Sequence, residues 1–368
     1  MGDVAICHDY LLQMGGAERV VLAMSDVFPS APIYTTFYAP ASTYSEFRDR
    51  DVRALASVPG DVGLRIQRSV FPVMRSAIER LRVRESVAIC STSGWSHAVV
   101  GPERKVAYCH NPARWLYQEE DYFQGRIKRF RVPTAPYRKR LREWDRKAAN
   151  SIELYLANSS VVRERIRRTY GREAEVLFPP AGLETDGSET APSSVPRPFC
   201  LVVGRLQPYK HVPFIARTFR SALPDLGLVV VGSGPERAAL DALSSNQIVR
   251  LDRATDAELR WLYRNAELLI AASHEDFGLT PVEAAFHGLP TVALRYGGYR
   301  DTVLPGRTGI LFADLSPESL IEAIRAALNT SWDRSMIAAS AEERFGRRRF
   351  GKRLTSIVDA SPSAGAGA

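Results

Sequence analysis

Short apolar runs, bounded by glycine, proline or polar residues, recur along the whole chain. In the first half they are Val4–His8, Ile33–Phe37, Val87–Cys90, Lys105–His110, Leu154–Ala157 and Ala174–Phe178. In the second half they are Phe199–Val203, Leu228–Val231, Ile248–Leu251, Glu267–Ala272, Thr291–Leu294 and Gly306–Phe312. Their length and their Val, Ile and Leu content predict strands. Between them lie segments with apolar residues at three- and four-residue spacing. One ends before Pro29, one covers Leu64–Arg84 and is interrupted by Pro72, one runs to Tyr170, and others cover Pro317–Leu328 and Arg344–Val358. Strands alternating with helices predict an α/β protein.

At 368 residues the chain exceeds what one core usually fills, so two domains are expected. Residues 184–198 (E-T-D-G-S-E-T-A-P-S-S-V-P-R-P) offer little to bury and read as a linker. The expected organisation is a first domain over 1–183, a second over 199–343, a closing helix over 344–360 that returns to the first domain, and a disordered tail over 361–368. Hydrophobic content of 45% and charged content of 24% are globular values. No apolar run reaches the length a bilayer span requires, and the start M-G-D lacks a signal peptide's basic and apolar regions. A cytoplasmic protein is expected. Cys7, Cys90, Cys109 and Cys200 each sit in or beside an apolar run without metal-site spacing, and read as reduced core residues.

A net charge of +8 calls for an anionic partner. Residues 124–147 concentrate it, with ten Lys and Arg against two acids and with Phe130, Tyr137 and Trp144 interleaved. Such a stretch fits an anionic membrane surface or a solvated helix face. Nucleic acid is not an expected partner, because no nucleic-acid motif accompanies it.

The candidate chemistry lies where strands end. After Glu267–Ala272 comes S-H-E-D-F-G-L-T-P-V-E-A-A-F-H-G-L-P-T, Ser273 to Thr291. Thr280 and Pro281 predict a helix start, and Gly288 with Pro290 a stop. This puts Glu275 on the loop and Glu283 in the first turn, near the N–H groups of Phe277, Gly278 and Leu279. Carboxylates suit hydroxyls and a helix N-terminus suits phosphate. After Phe199–Val203, G-R-L-Q-P-Y-K-H supplies Arg205 and Lys210, two cations able to neutralise a diphosphate. Gly15 and Gly16 follow the first strand at a helix start, where a missing side chain admits phosphate to the backbone. His110 follows another strand end, a position from which it can touch a ligand.

Together, E-D-F-G-L-T-P-V-E, the trailing A-x-x-x-G-x-P-x-V-A and G-R-x-x-x-x-K resemble the motifs of retaining glycosyltransferases of family 4. The resemblance implies the GT-B fold, two Rossmann-like doubly wound domains facing a central cleft. It implies a nucleotide-sugar donor whose diphosphate meets Arg205 and Lys210. It further implies donor phosphates near Gly15 and Gly16, sugar hydroxyls on Glu275 and His110, the ribose on Glu283 and the base near Arg253 and Ala254. One departure is Asp301, which stands where the family usually has glutamate after Gly297 and Gly298. No metal or other cofactor is implied, since no Asp-x-Asp motif lies in a suitable loop and the cations would replace a metal. H-D-Y-L, H-N-P-A-R-W and V-L-F-P-P look most like mannosyltransferases of bacterial polysaccharide assembly. That suggests GDP-mannose, a glycan or polyprenyl-linked acceptor, and a peripheral position on the inner face of the cytoplasmic membrane. Two other readings stay open: a nucleotide-sugar 2-epimerase of the same fold, and a non-catalytic basic membrane or nucleic-acid binder.

Overall fold

The computed structural model describes residues 3–59, 71–118 and 135–360. The chain divides into two compact units, residues 1–180 with 347–368 and residues 181–346.

The first unit is built on a seven-stranded sheet in the order β3-β2-β1-β4-β5-β6-β7. The strands are β1 (Val4–His8), β2 (Ile33–Tyr38), β3 (Val52–Ser57), β4 (Val87–Thr92), β5 (Arg104–Cys109), β6 (Leu154–Ala157) and β7 (Ala174–Val176), all paired in parallel. Successive residues of a strand point to opposite faces, and here both faces are buried. Ala5 and Cys7 of β1 enter one apolar cluster while Val4 and Ile6 enter another. That is why the run reads as continuously apolar. The edge strand β3, V-R-A-L-A-S, escaped the pattern because it is mostly exposed and carries Arg53. The acids just before it are structural at Asp51, which pairs with Arg53 at 2.7 Å.

The helix Arg347–Asp359 belongs to this unit and buries Phe350, Leu354, Ile357 and Val358. Arg104 donates to the carbonyls of Val358 and Ile357 at 2.6 and 2.9 Å, satisfying acceptors at the helix's C-terminal end. The helix Phe71–Arg80 carries Pro72 in its first turn, where proline is tolerated; residues 64–70 of the longer expected segment lie outside the described residues.

The basic stretch resolves into the helix Ala135–Ala149; its first part, with Phe130, lies outside the described residues. Its other aromatics turn inward. Trp144 lies 5.5 Å from Trp95 between ring centroids and donates to Glu79 at 2.7 Å. Tyr137 packs on the same core. Asp145 is fully buried, accepting from Tyr117 at 2.8 Å and pairing with His97 Nε2 at 3.0 Å. Lys139, Arg140, Arg146 and Lys147 are exposed, with the single acid Glu143 among them.

The second unit is a six-stranded parallel sheet in the order β10-β9-β8-β11-β12-β13. Its strands are β8 (Phe199–Val203), β9 (Gly227–Val231), β10 (Ile248–Leu251), β11 (Leu269–Ala271), β12 (Thr291–Leu294) and β13 (Gly309–Phe312). This is the doubly wound order, which reverses direction between β8 and β11. Residues 184–198, read from the sequence as a linker, belong to this unit and lie against the helix Asp256–Asn265. Arg260 and Arg264 donate to the carbonyls of Ser188 and Thr185 at 3.0 and 3.1 Å, and Val195 packs on the core. Among the described residues no helix is long and apolar enough to cross a membrane. The four cysteines are buried and none is in a disulfide, and the tail 361–368 lies outside the described residues.

Candidate functional site

Where a doubly wound sheet reverses its strand order, the loops after the two neighbouring strands diverge and leave a crevice at their carboxyl ends. In the second unit those loops follow β8 and β11. They and the following helices enclose a pocket lined by Gly204, Arg205, Lys210, Ser273, Thr280 and Tyr299, with apolar strand residues beneath. Lys210 ends a short turn, Pro208–Lys210, and forms an ion pair with Glu275 from the β11 loop. The two side chains are 18% and 21% exposed, so the pair is largely removed from water. Burial alone pulls the Lys210 pKa down, but Glu275, with Tyr299 and Tyr209, outweighs it and holds the pKa above its ordinary value. Lys210 is therefore a fixed cation, and Arg205 beside it is exposed.

The loop bearing Glu275 is held by close backbone packing. Glu275 accepts from the Gly298 N–H at 2.9 Å through its carbonyl. Gly297 has φ +57°, and a Cβ there would stand 2.0 Å from that same carbonyl oxygen. Gly278 has φ +93° and a Cβ there would stand 2.6 Å from the Tyr299 ring. Tyr299 is fully buried and shares a hydrogen bond with Ser273; burial pushes its hydroxyl pKa up. The glycine pair Gly297–Gly298 and Gly278 thus let two loops approach within backbone contact.

The helix after the loop is Leu279–Phe286 with Gly278 as its N-cap, so it begins before the expected Thr280–Pro281 start. Pro281 occupies the third helical position, where an N–H would have no intrahelical acceptor in any case. This places Thr280 in the first turn, lining the pocket, and moves Glu283 into the second turn. Glu283 accepts from Tyr263 at 3.0 Å and is not among the pocket-lining residues. The N–H groups of Gly278 and Leu279 open the helix. Phe277 is 4% exposed, with its ring 5.9 Å from Phe345 between centroids. Arg253 and Ala254 lie on the loop after β10, the outer strand, away from the lining; the next residue, Thr255, opens a helix with a capping box to Glu258.

Gly15, Gly16 and His110 belong to the first unit. Gly15 is the N-cap of the helix Gly16–Val27, and a Cβ on it would stand 2.5 Å from the Glu18 carboxylate. His110 follows β5, is 9% exposed, and has Nε2 2.9 Å from Ser91 Oγ. Burial and the neighbouring His8 pull its pKa down to about 3. Next to His8 in the chain, the buried carboxylate of Asp9 accepts from the N–H groups of Ser93, Trp95 and Ser96 at 2.6, 2.8 and 2.6 Å.

The structure thus brings Arg205, Lys210, Glu275 and the helix start at Gly278–Leu279 to one strand edge. Glu283 is instead bonded to Tyr263, and Arg253 and Ala254 follow the outer strand β10. Ser273, Thr280 and Tyr299 also line the pocket; all three lie in or beside the motifs, where the sequence marked Thr280 only as a helix start and Ser273 and Tyr299 not at all, and their signal is position next to a strand end.

Residues 14–185 match the model of Glycosyltransferase Family 4, and residues 197–330 that of Glycosyl transferases group 1. A GDP-mannose-dependent alpha-mannosyltransferase of Mycolicibacterium smegmatis is 37% identical over 116 residues, 31% of this chain and 30% of that protein. The alpha-1,3/1,6-mannosyltransferase ALG2 of Rhizomucor pusillus is 32% identical over 154 residues, 40% of this chain and 34% of that protein. The matches therefore span about a third of these relatives' own lengths. Among solved structures, HepE of Anabaena in complex with UDP and glucose superposes with a TM-score of 0.68 at 17% identity, covering 98% of this chain and 100% of that one. Sucrose-phosphate synthase of Thermosynechococcus elongatus gives a TM-score of 0.67 at 15% identity, covering 97% and 98%. The fold is two parallel-sheet Rossmann-like domains as in the GT-B glycosyltransferases, and the chain belongs to the family 4 and group 1 glycosyltransferases whose two domains it joins.

Proposed function

We propose that the chain transfers a hexose, mannose from GDP-mannose, to a glycan or polyprenyl-linked acceptor, with retention of anomeric configuration. The observation that carries this reading is the pocket at the β8/β11 switch point, where two cations and a helix start converge with a carboxylate already paired to one cation. A departing diphosphate needs positive charge placed in advance, and such electrostatic preorganisation is commonly the largest catalytic contribution. Arg205, Lys210 and the N–H groups of Gly278 and Leu279 supply it, so no metal is required. Glu275 exchanges Lys210 for sugar hydroxyls, His110 contributes a further hydrogen bond to the sugar, Gly15 and Gly16 admit phosphate, and Glu283 and the Arg253–Ala254 loop serve the ribose and base. No side chain is assigned as nucleophile; the leaving phosphate assists the acceptor on the same face.

Mannose is favoured by the sequence relatives, two of which are named as mannosyltransferases. HepE, at 17% identity, bears on the fold and leaves the donor base open to test. The exposed Lys139, Arg140, Arg146 and Lys147 suit a peripheral seat on anionic lipid, where a lipid-linked acceptor resides.

The test is incubation with labelled GDP-mannose, and separately with UDP-glucose, in the presence of EDTA and a polyprenyl-diphosphate-linked saccharide, with the product anomer read by NMR. An α-mannosylated product supports the proposal. A β product refutes retention, and conversion of the nucleotide-sugar without transfer supports the epimerase reading instead.

A further inference from the structure

Three polar side chains from adjacent strand ends of the first unit form one directed chain. His8 ends β1, Ser91 lies beside it in β4, and His110 follows β5. His8 Nδ1 is 3.0 Å from the Ser91 carbonyl oxygen and 3.1 Å from Ser91 Oγ, and Ser91 Oγ is 2.9 Å from His110 Nε2. The three residues are 2%, 0% and 9% exposed, so water does not compete for these bonds.

The proton positions follow from what each atom can do. A carbonyl oxygen only accepts, so His8 Nδ1 carries a proton and donates it to Ser91. Ser91 Oγ, accepting from His8, still has its own proton to give, and His110 Nε2 is the acceptor in reach. A neutral imidazole carries one N–H, which on His110 is then on Nδ1. We infer that Ser91, oriented by His8, is a positioning residue that fixes His110 as its Nδ1–H tautomer and so makes it a neutral hydrogen-bond donor to a sugar hydroxyl oxygen. This rests on the reading above that His110 touches the sugar.

Neutrality matters to the chemistry. An imidazolium at this position would set positive charge against a developing oxocarbenium ion, whereas an N–H dipole grips a hydroxyl without that penalty. Burial, with His8 nearby, supports the neutral form. Two further contacts of His110 are uncharged. The Tyr108 ring lies 5.3 Å away between centroids, and Asn158 donates to the His110 carbonyl at 3.2 Å.

The experiment is long-range proton–nitrogen NMR of the full chain labelled with ¹⁵N-histidine, His110 being assigned by its loss in His110→Gln. In the wild type we expect the Nδ1–H pattern for His110. Ser91→Ala should move it toward Nε2–H and lower kcat/KM for transfer about tenfold, the scale of one hydrogen bond; Ser91→Thr should restore both. A wild-type His110 found as Nε2–H, or a Ser91→Ala spectrum unchanged from wild type, overturns the inference, and the wild-type spectrum decides even if Ser91→Ala does not fold. A changed tautomer with unaltered transfer supports the relay and removes His110 from the proposed reaction.

Discussion

The ion pair between Lys210 and Glu275 means that, without ligand, a donor cation is occupied by the enzyme's own carboxylate. A nucleoside diphosphate entering the pocket must share Lys210 with Glu275 and lie close to a like charge. At a separation of about 6 Å and an effective dielectric of about 20, one such repulsion costs about 3 kcal/mol. Glu275→Gln removes the charge but keeps a group that can hydrogen-bond Lys210 and compete with the ligand for it, so only part of that cost is relieved. GDP alone, with no sugar for Glu275 to hold, should therefore bind Glu275→Gln about tenfold or more tightly than wild type, while transfer falls. Isothermal titration calorimetry at low salt measures this directly. Because both side chains are about one-fifth exposed, added salt should narrow the difference. A second signature follows from the Lys210 pKa, which Glu275 holds up against burial. Without Glu275, burial prevails and the ammonium deprotonates at lower pH, so GDP affinity in the variant should fall on the alkaline side where wild type holds. GDP affinity that is unchanged or weaker in Glu275→Gln would refute the reasoning.

Gly297→Ala should lower Tm by several degrees and abolish nucleotide binding, because the new Cβ would meet the Glu275 carbonyl at 2.0 Å in a left-handed backbone conformation; binding and melting like wild type would contradict the tight-turn argument. His110 and His287 have pKa values pulled down to about 3 and about 4, each chiefly by burial. Their contribution to stability is thus present above about pH 6.5 and lost as pH falls toward the folded values, about 1.4 kcal/mol per group per pH unit. Urea midpoints at pH 6.5 and 5.0 should show a loss of about 3 kcal/mol in wild type and about half that in His110→Gln; equal losses would place the sensitivity elsewhere. Replacing Lys139, Arg140, Arg146 and Lys147 by Ser should weaken sedimentation with phosphatidylglycerol vesicles and leave transfer to a soluble acceptor unchanged; undiminished sedimentation would remove this face from the membrane proposal.

Most of the fold was legible because buried parallel strands are continuously apolar: β1 to Ile6 and Cys7, or β8 across Phe199 to Val203, announce themselves. β3 did not, since an exposed edge strand need not be apolar. The helix Arg334–Phe345 was also missed; its inward positions include Ser340 and Ala341, which pack without an apolar stripe. At the site, Arg205, Lys210 and Glu275 were readable because each follows a strand end by a short loop. The exact start of the helix was not, because Gly278 takes a left-handed conformation that makes it the cap in place of Thr280. The partners of Glu283 and His110 were out of reach, since Tyr263 and Ser91 come from elements 20 and 19 residues away in the chain.

The most direct test of the central claim is a metal-free thermal shift with GDP, UDP and ADP in excess, on wild type and on Arg205→Ala/Lys210→Ala. Ligand at about 100 times its Kd should add about 2.7 kcal/mol. The account predicts a rise in Tm with one nucleotide, GDP foremost, that disappears in the double variant. No rise with any nucleotide, or a rise that the double variant keeps, would contradict a diphosphate site at Arg205 and Lys210.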